Sequence, residues 1–354
     1  RYLHPAQVEF AETLLAKMPP HLTHVFLVNS GSEGNELALR LARAHTDGKD
    51  MVTPDHGYHG NTTGAYDVSA YKFNMPGGGG RARWVQVVPM ADTYHGEHRG
   101  PDAAVRYAAR VEGAIAHVHE RGRSLAGFIS EPLPSVGGQI IPPAGYLKEV
   151  YARVRAAGCV CIADEVQTGL WRLGEFYWGF EQQDVQPDVV VIGKPLGNGH
   201  PMGAVVTTAD IARSFDNGIE FFSTFGGSTL SCRTGTEVIR IVDEEGLQAN
   251  ARTTGERLLA GLRALQSRHA IIGDVRGIGL FVGVDLFSYR ELRTPATREA
   301  RYIVNRLREE RILIGTEGPA DNVLKVRPPL TVQPDDVDVL VATLGRVLDE
   351  TVFL

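Results

Sequence analysis

The sequence places a carboxylate and an amine at the ends of two successive apolar segments. Asp164 directly follows residues 160–163, and Lys194 follows residues 189–192 after one glycine. Short apolar runs of this kind are typical of strands buried in a parallel sheet. Because open parallel sheets bind ligands at the carboxyl ends of their strands, we expect Asp164 and Lys194 to meet in one crevice.

Two interpretations of this pair differ in what lies between the side chains. In the first, Asp164 and Lys194 form a buried structural ion pair. In the second, a pyridinium cofactor lies between them, because its ring nitrogen needs an anion to stay protonated as an electron sink and its imine needs a desolvated lysine. Delivery of both groups by neighbouring strand ends favours the second interpretation.

Two other segments supply groups that such a cofactor needs. A strand, a small-residue turn and a helix start are predicted around Gly31 and Ser32, whose N–H groups would bind a phosphate. After a predicted strand at 51–54, glycines let the chain turn sharply, so that Tyr58 can lie flat on a ring with His59 nearby. Each segment alone has a structural alternative, an ordinary helix N-cap for the first and side-chain packing for the second.

The elements that must position these residues are strands and helices in alternation. Short apolar runs alternate with longer segments whose apolar residues lie three or four positions apart. This alternation predicts a doubly wound, mainly parallel sheet covered by helices on both faces. The predicted strands are 25–28, 51–54, 85–88, 126–130, 160–163 and 189–192, and the predicted helices include 33–44, 103–120 and 145–157.

The pattern changes near residue 270. We therefore expect a large domain over residues 1–270 and a small α+β domain over residues 271–354. A chain of 354 residues exceeds the size at which one hydrophobic core usually keeps growing, which agrees with this division. The predicted elements of the small domain are strands at 271–276 and 279–286 and helices at 296–310 and 334–348.

Composition and charge exclude several classes of protein. The net charge is −6 and the 36 Lys and Arg residues are scattered, so a nucleic-acid-binding stripe is not expected. No apolar run approaches the roughly 20 residues that span a bilayer, and the first ten residues lack a signal peptide, so we expect a cytoplasmic protein with no membrane partner. Cys159, Cys161 and Cys232 lack metal-ligand spacing and are expected to be buried thiols, with no metal bound.

Four motifs at consistent spacing make the chain resemble a known family. Residues 30–33 (SGSE), 58–60 (YHG), 163–169 (ADEVQTG) and 193–199 (GKPLGNG) are similar to those of the class III aminotransferases, which are fold type I enzymes of pyridoxal 5′-phosphate. The resemblance covers essentially the whole chain in order and implies that fold. Because the chain begins at Arg1 inside an amphipathic pattern, a family segment is expected upstream of it.

The resemblance implies a role for each residue of the predicted site. These roles surround the ring, the aldehyde and the phosphate of the cofactor. The implied residues are Lys194 as the Schiff base, Asp164 at the ring nitrogen, Tyr58 and Val166 on the two ring faces with His59 nearby, Gln167 at the ring hydroxyl, and Gly31 and Ser32 at the phosphate.

Two further residues follow from the resemblance. Thr224 matches the threonine that reaches the phosphate of the neighbouring subunit's cofactor, which implies a homodimer with shared active sites. Whether such dimers pair into tetramers is left open. Glu131 follows the predicted strand at 126–130 and matches an acid beside the ring, with a solvated strand-end carboxylate as its alternative.

Within the family, residues 135–146, 193–201 and 273–281 resemble the phospho-lyases that act on phosphoethanolamine or phosphohydroxylysine. The predicted activity is therefore elimination of phosphate from a small phosphorylated amine such as O-phosphoethanolamine, giving an aldehyde, ammonia and phosphate. The alternative is a class III aminotransferase of the omega-amino acid or alanine–glyoxylate type. Both reactions begin when Lys194 takes a proton from the carbon that bears nitrogen.

A departure from the family pattern supports the phosphate substrate. Many members that act on α-carboxylates have an arginine clamp where this chain has Lys325, and Arg327 follows two residues later. A lysine does not reproduce the bidentate fork that holds a carboxylate, whereas it serves a phosphate. We therefore expect Lys325 and Arg327 to bind the substrate phosphate, with solvated surface charges as the alternative. Arg172 is a further candidate for a cation around the departing phosphate.

Overall fold

A computed structural model describes residues 3–289 and 292–350. Within these residues it contains a seven-stranded sheet and a smaller sheet, each covered by helices. The strands of the large sheet run in the order β1-β7-β6-β5-β4-β2-β3. They are β1 Leu22–Val28, β2 Asp50–Pro54, β3 Val85–Val88, β4 Leu125–Ser130, β5 Val160–Asp164, β6 Val189–Ile192 and β7 Gly203–Thr208.

The large sheet is parallel from β3 to β6 and antiparallel at its other edge. Strands β3, β2, β4, β5 and β6 pair in parallel, whereas β7 runs antiparallel to both β6 and β1. The predicted α/β class with a mainly parallel sheet is confirmed. Strand β7 was not predicted. Because β7 runs antiparallel to β6, the segment that joins the two strands stays at the end of the sheet where β6 ends.

Helices pack on both faces of this sheet. The buried cluster on one face joins Leu37 and Leu41 of α2 to Ile162 of β5, and the cluster on the other joins Val111 of α5 to Phe128 of β4. The sheet is thus buried on both faces, as continuous apolar strands require. The helices are α1 Pro5–Leu15, α2 Gly31–Thr46, α3 Thr63–Asp67, α4 Ala70–Phe73, α5 Ala103–Glu120, α6 Tyr146–Ala156, α7 Lys194–Gly197, α8 Ala209–Phe215 and α9 Thr229–Glu244, with a 3₁₀ helix at Gly179–Gln183.

The chain divides into two compact units. The second unit consists of Leu133–Ile141, Trp171–Tyr177 and the chain from Glu245 onward, and the first unit is the remainder. The second unit contains strands β8 Ile272–Ile278, β9 Phe281–Tyr289, β10 Thr294–Pro295, β11 Gly315–Glu317 and β12 Val323–Val326, and helices α10 Leu247–Arg268, α11 Thr297–Glu309 and α12 Pro334–Glu350.

The observed division differs from the boundary predicted at residue 270. Helix α10 belongs to the second unit because its Leu258 and Leu262 share a core with Ile272 of β8. Two short segments from the middle of the chain also join this unit, which a boundary drawn along the sequence cannot represent. The change of pattern near residue 270 marks the first strand of the second unit and not its first element.

Three features of the composition can be compared with the structure. Cys159, Cys161 and Cys232 are buried free thiols, and burial raises the pKa of Cys159 to about 11. Among the described residues, no cluster of three or more His, Cys, Asp or Glu side chains has the arrangement of a metal site. No helix in the same part of the chain combines the length and apolar character needed to cross a membrane.

Candidate active site

A cavity of about 470 Å³ opens in the first unit where the parallel strands end. Asp164, at the end of β5, and Lys194, just beyond β6, both line it. Because β5 and β6 are adjacent and Asp164 pairs with Val191, their ends lie side by side. The other lining residues are Asn29, Ser30, Gly31, Ser32, Asn35, Tyr58, His59, Gly60, Glu131, Val166, Gln167, Gly199, His200, Pro201 and Met202.

Asp164 is held by three hydrogen-bond donors. Its Oδ2 accepts from Asn35 Nδ2 at 2.7 Å and from His59 Nδ1 at 2.8 Å, and its Oδ1 accepts from the Val166 N–H at 3.1 Å. The side chain is almost fully buried, with Asp164 only 2% exposed. These hydrogen bonds hold both carboxylate oxygens at a fixed place in the cavity.

Asn35 is a member of this site that the sequence did not reveal. Its Nδ2 also donates to the backbone carbonyl of His59 at 2.8 Å, so both amide hydrogens point at acceptors. A flipped amide would place its oxygen against both acceptors, which fixes the orientation. The one signal in the sequence was a polar side chain on the buried face of amphipathic α2, where Asn35 is 1% exposed.

Lys194 follows a glycine at the start of the short helix α7. Gly193 has φ −150° and ψ −114°, and the chain turns there so that the Lys194 side chain is exposed to the cavity. A Cβ on Gly193 would lie 3.2 Å from the Gly31 nitrogen, and a Cβ on Gly31 would lie 2.8 Å from a methyl of Val166. The turn that carries Lys194 therefore touches the turn that begins α2.

The residues predicted to bind phosphate, Gly31 and Ser32, lie in the first turn of α2, and we call this turn the anion cradle. The Ser30 side chain caps the helix by accepting from the Glu33 N–H at 3.2 Å, which leaves the N–H groups of Gly31 and Ser32 without an acceptor within the helix. Both residues line the cavity. Gly60 has φ +143° and a Cβ there would lie 2.6 Å from Ser32 Oγ, so only glycine fits against the cradle.

The walls of the cavity carry the remaining predicted cofactor contacts. Tyr58 and Val166 both line it, and the Glu131 carboxylate accepts from the Tyr58 N–H at 3.5 Å. The Tyr58 ring stands edge-on to Tyr71 at 6.1 Å, which fixes its plane. Gln167 also lines the cavity.

The residues present fit pyridoxal 5′-phosphate. Within the described residues, Gln167 Oε1, His59 Nε2 and Asn35 Oδ1 are buried polar atoms of the cavity that have no hydrogen-bond partner. Buried polar atoms are normally paired, so their presence in one cavity indicates a polar ligand. Asp164 supplies an anion for a ring nitrogen, Lys194 an amine for an aldehyde, and the α2 cradle N–H groups for a phosphate.

Four predicted residues lie outside the cavity lining. Thr224 is exposed in the segment that precedes α9. Arg172, Lys325 and Arg327 belong to the second unit. The structure thus groups the nine other predicted residues around one cavity of the first unit and places the predicted substrate cations in the other unit.

Arg172 is a buried cation beside another cation. Its Nη1 donates to the backbone carbonyls of Pro328 at 2.7 Å and Leu280 at 3.3 Å. Burial, followed by the like charge of Arg327, lowers the pKa of Arg172 to about 10. Lys325 forms an ion pair with Glu317 and is half-buried, so its charge is already balanced. Arg172 and Arg327 thus place two like charges close together.

Glu165 is a buried carboxyl group next to Asp164 in sequence. It accepts from Thr168 Oγ1 at 2.6 Å and from the N–H groups of Gly179 and Phe180, both at 2.9 Å. Burial raises the pKa of Glu165 to about 7, and these hydrogen bonds act in the opposite direction. The side chain caps the 3₁₀ helix at Gly179–Gln183 and does not line the cavity.

Comparison with known proteins agrees with this geometry. A family model described as aminotransferase class-III matches residues 2–348. An alanine–glyoxylate aminotransferase 2-like protein of Drosophila melanogaster is 47% identical over 345 residues, covering 96% of this chain and 70% of the relative.

Two solved structures are similar over almost the whole chain. A phospholyase from Arthrobacter in complex with phosphoethanolamine has a TM-score of 0.93 and 39% identity, covering 99% of this chain and 82% of the other. An amine transaminase from an uncultivated Pseudomonas species, in its PLP-bound form, has a TM-score of 0.90 and 27% identity with the same coverage. The predicted fold type I architecture and the predicted cofactor, pyridoxal 5′-phosphate, are confirmed, and this chain belongs to the class III aminotransferase family.

Proposed function

We propose that Lys194 and Asp164 are the catalytic centre of this enzyme. When bound, the pyridinium ring of the cofactor supplies an electron sink for the carbon next to the substrate nitrogen. Lys194 would hold the cofactor at its aldehyde, and its amine would take the proton from that carbon of the substrate. Asp164 would face the ring nitrogen and favour its protonated form, and Asn35 and His59 keep Asp164 in place.

We propose further that the reaction is elimination of phosphate from a small phosphorylated amine. The observation that carries this proposal is the pair of like charges, Arg172 and Arg327, in the second unit. Two neighbouring cations favour a doubly charged anion, and phosphate carries between one and a half and two negative charges near neutral pH. The similarity to a solved phospholyase bound to phosphoethanolamine supports the same substrate class.

The overall reaction consumes water. O-Phosphoethanolamine and water would give acetaldehyde, ammonia and phosphate, with no change in oxidation state and no second organic substrate. Lys194 moves the first proton, and cations around the departing phosphate stabilise its charge. This reaction therefore proceeds without a keto acid, which an aminotransferase requires.

The alternative function is transfer of the amino group to a keto acid. The specific observation that favours it is the Drosophila relative at 47% identity, whose name is that of an aminotransferase. The first proton transfer by Lys194 is common to both reactions. They differ in whether a leaving group on the neighbouring carbon departs.

The two functions are separated by assaying free phosphate. The purified enzyme is incubated with phosphoethanolamine, and separately with phosphohydroxylysine, without any keto acid. We expect release of phosphate together with equal amounts of ammonia. Activity only after a keto acid is added, with no phosphate released, would establish the aminotransferase instead.

We also propose that the enzyme is a homodimer with Thr224 at the interface. Around Thr224, the side chains of Phe222, Phe225 and Leu230 are 59%, 71% and 67% exposed, an unusual density of exposed large apolar groups. Sedimentation equilibrium should give twice the chain mass, and Phe222→Asp with Phe225→Asp should give the monomer. A monomeric native enzyme would contradict the proposal.

A further inference from the structure

His200 shares the cavity with Lys194, yet the reaction steps above do not use it. Helix α7 ends at Gly197, and Asn198 and Gly199 then adopt φ +44° and +104°, so the chain reverses within two residues. The His200 N–H donates to the Gly197 carbonyl at 2.9 Å, which closes the turn. The turn places the imidazole of His200 on the cavity wall.

Two serines hold the imidazole through one ring nitrogen. His200 Nε2 lies 2.9 Å from Ser231 Oγ, and Ser231 Oγ lies 2.8 Å from Ser228 Oγ. Ser228 Oγ also accepts from the Ser231 N–H at 3.2 Å. The hydrogen-bond partner of the ring within the described residues is thus a hydroxyl that is itself oriented by a second hydroxyl.

This serine pair accommodates both protonation states of the ring. With a neutral ring that carries its hydrogen on Nδ1, Ser228 donates to Ser231 and Ser231 donates to His200 Nε2. With a neutral ring that carries its hydrogen on Nε2, as after transfer of the Nδ1 proton, that nitrogen donates to Ser231 Oγ. With a protonated ring, Nε2 donates to Ser231 Oγ and the hydroxyl hydrogen bonds reverse. Because a hydroxyl both donates and accepts, no hydrogen bond is lost when His200 gains or releases a proton. Such a ring is suited to acid–base catalysis.

The proposed elimination needs an acid at the leaving group. A phosphate monoester is largely a dianion near neutral pH, so breaking its carbon–oxygen bond without a proton would release a trianion. Lys194 is engaged with the carbon proton, and the Nδ1 hydrogen of His59 is donated to Asp164. Arginines stabilise charge but do not release protons at this pH.

We propose that His200 is the general acid for the departing phosphate, an inference that rests on the proposed phospho-lyase function. The carbon–hydrogen bond next to nitrogen gives its proton to Lys194 and its electron pair to a new carbon–carbon double bond. The carbon–oxygen bond breaks with its electron pair on oxygen, and the His200 imidazolium gives its proton to that oxygen. Hydrogenphosphate leaves, and His200 is left neutral until solvent protonates it again.

Ethanolamine O-sulfate provides a matched test of this step. It has the same carbon skeleton and a leaving group of the same shape, but sulfate is the anion of a strong acid and departs without a proton. Initial rates of phosphate and sulfate release are measured for the native enzyme and for His200→Gln, which retains a hydrogen-bonding side chain. His24→Gln, an exposed histidine on β1 of the same unit, is the control.

We expect His200→Gln to lower phosphate release by about 10²-fold or more, the usual contribution of a general acid, while sulfate release falls less than about threefold. Equal losses with both substrates, or phosphate release within about threefold of native, would overturn the inference while the native enzyme still eliminates phosphate. No phosphate release by the native enzyme would instead overturn the proposed function, and the inference with it.

Discussion

One charged group in each unit of this protein has surroundings of the opposite kind. In the first unit, the Asp164 carboxylate is surrounded by donors from Asn35, His59 and the backbone of Val166. In the second unit, the like charge of Arg327 adds to burial in lowering the pKa of Arg172. The difference indicates two kinds of charged site, one in which donors surround the charge and hold it in position, and one in which two like charges lie close together.

The largest expected effect on turnover comes from a substitution at Lys194, which shares the cavity of the first unit with Asp164. Lys194→Ala should abolish the absorbance of the lysine-bound cofactor and lower turnover by at least about 10³-fold, since both the attachment and the proton transfer are lost. The absorption spectrum and the initial rate of phosphate release measure these changes. Retention of the native spectrum would mean that another lysine holds the cofactor. The first unit would then not supply the lysine that we assign to the catalytic centre.

Asp164→Asn removes the charge while keeping the shape of the site. Cofactor should remain bound, whereas turnover should fall by about 10²- to 10³-fold, the size of effect seen when one preorganised electrostatic group is removed. Activity is normalised to bound cofactor to separate the two effects. Near-native turnover would refute the role of Asp164 as the partner of the ring nitrogen.

Arg327→Gln tests the site of like charges in the second unit. We expect KM for phosphoethanolamine to rise about 10- to 100-fold, because a charged hydrogen bond contributes about 1.5–3 kcal/mol, while the cofactor spectrum stays native. Arg308→Gln, an exposed arginine of α11 in the same unit, is the control. An unchanged KM in the Arg327 variant would show that Arg327 does not bind the substrate.

Glu165→Gln should change stability with pH and leave KM for the substrate unaffected. The folded-state pKa of about 7 lies above the ordinary value of 4.5, so the folded protein binds this proton more tightly than the unfolded chain. The resulting stabilisation is present below pH 4.5 and is lost as pH rises through about 7, an effect of about 3 kcal/mol.

The measurement for Glu165 is a difference between two proteins. Urea denaturation from pH about 4.5 to about 8 should show native stability falling relative to Glu165→Gln, which has no group to titrate. Glu120→Gln, at the exposed end of α5, should show no such divergence. Parallel pH profiles for the native protein and Glu165→Gln would contradict the raised pKa.

The sequence predicted the parts of the fold that depend on local patterns. Buried parallel strands are continuous apolar runs, so β5 and β6 could be located and their last residues assigned to one crevice. Strand β7 was missed, because it follows a turn of glycine, asparagine and proline and pairs with a strand far away in sequence. Local patterns of apolar residues indicate which strands are buried, but they do not indicate in which direction a strand pairs.

The site shows the same limit. Asp164 and Lys194 could be found because each follows a strand, whereas Asn35 is recognisable only when α2 packs beside the end of β5. The placement of Arg172 in the second unit was equally hidden, since a seven-residue segment from the middle of the chain crosses to that unit. Such contacts depend on pairings that no single stretch of sequence encodes.

The near-contact of Gly31, Gly193 and Val166 also limits how such an enzyme can diverge. A single methyl group on Gly31 would collide with Val166, and one on Gly193 would crowd the Gly31 backbone. A substitution at Gly31 would therefore displace Val166 from the cavity wall, and one at Gly193 would press the lysine-bearing turn against the anion cradle. New substrate preferences are then expected to come from other walls of the cavity, and a random mutagenesis screen should find Gly31 less tolerant of substitution than Gly193.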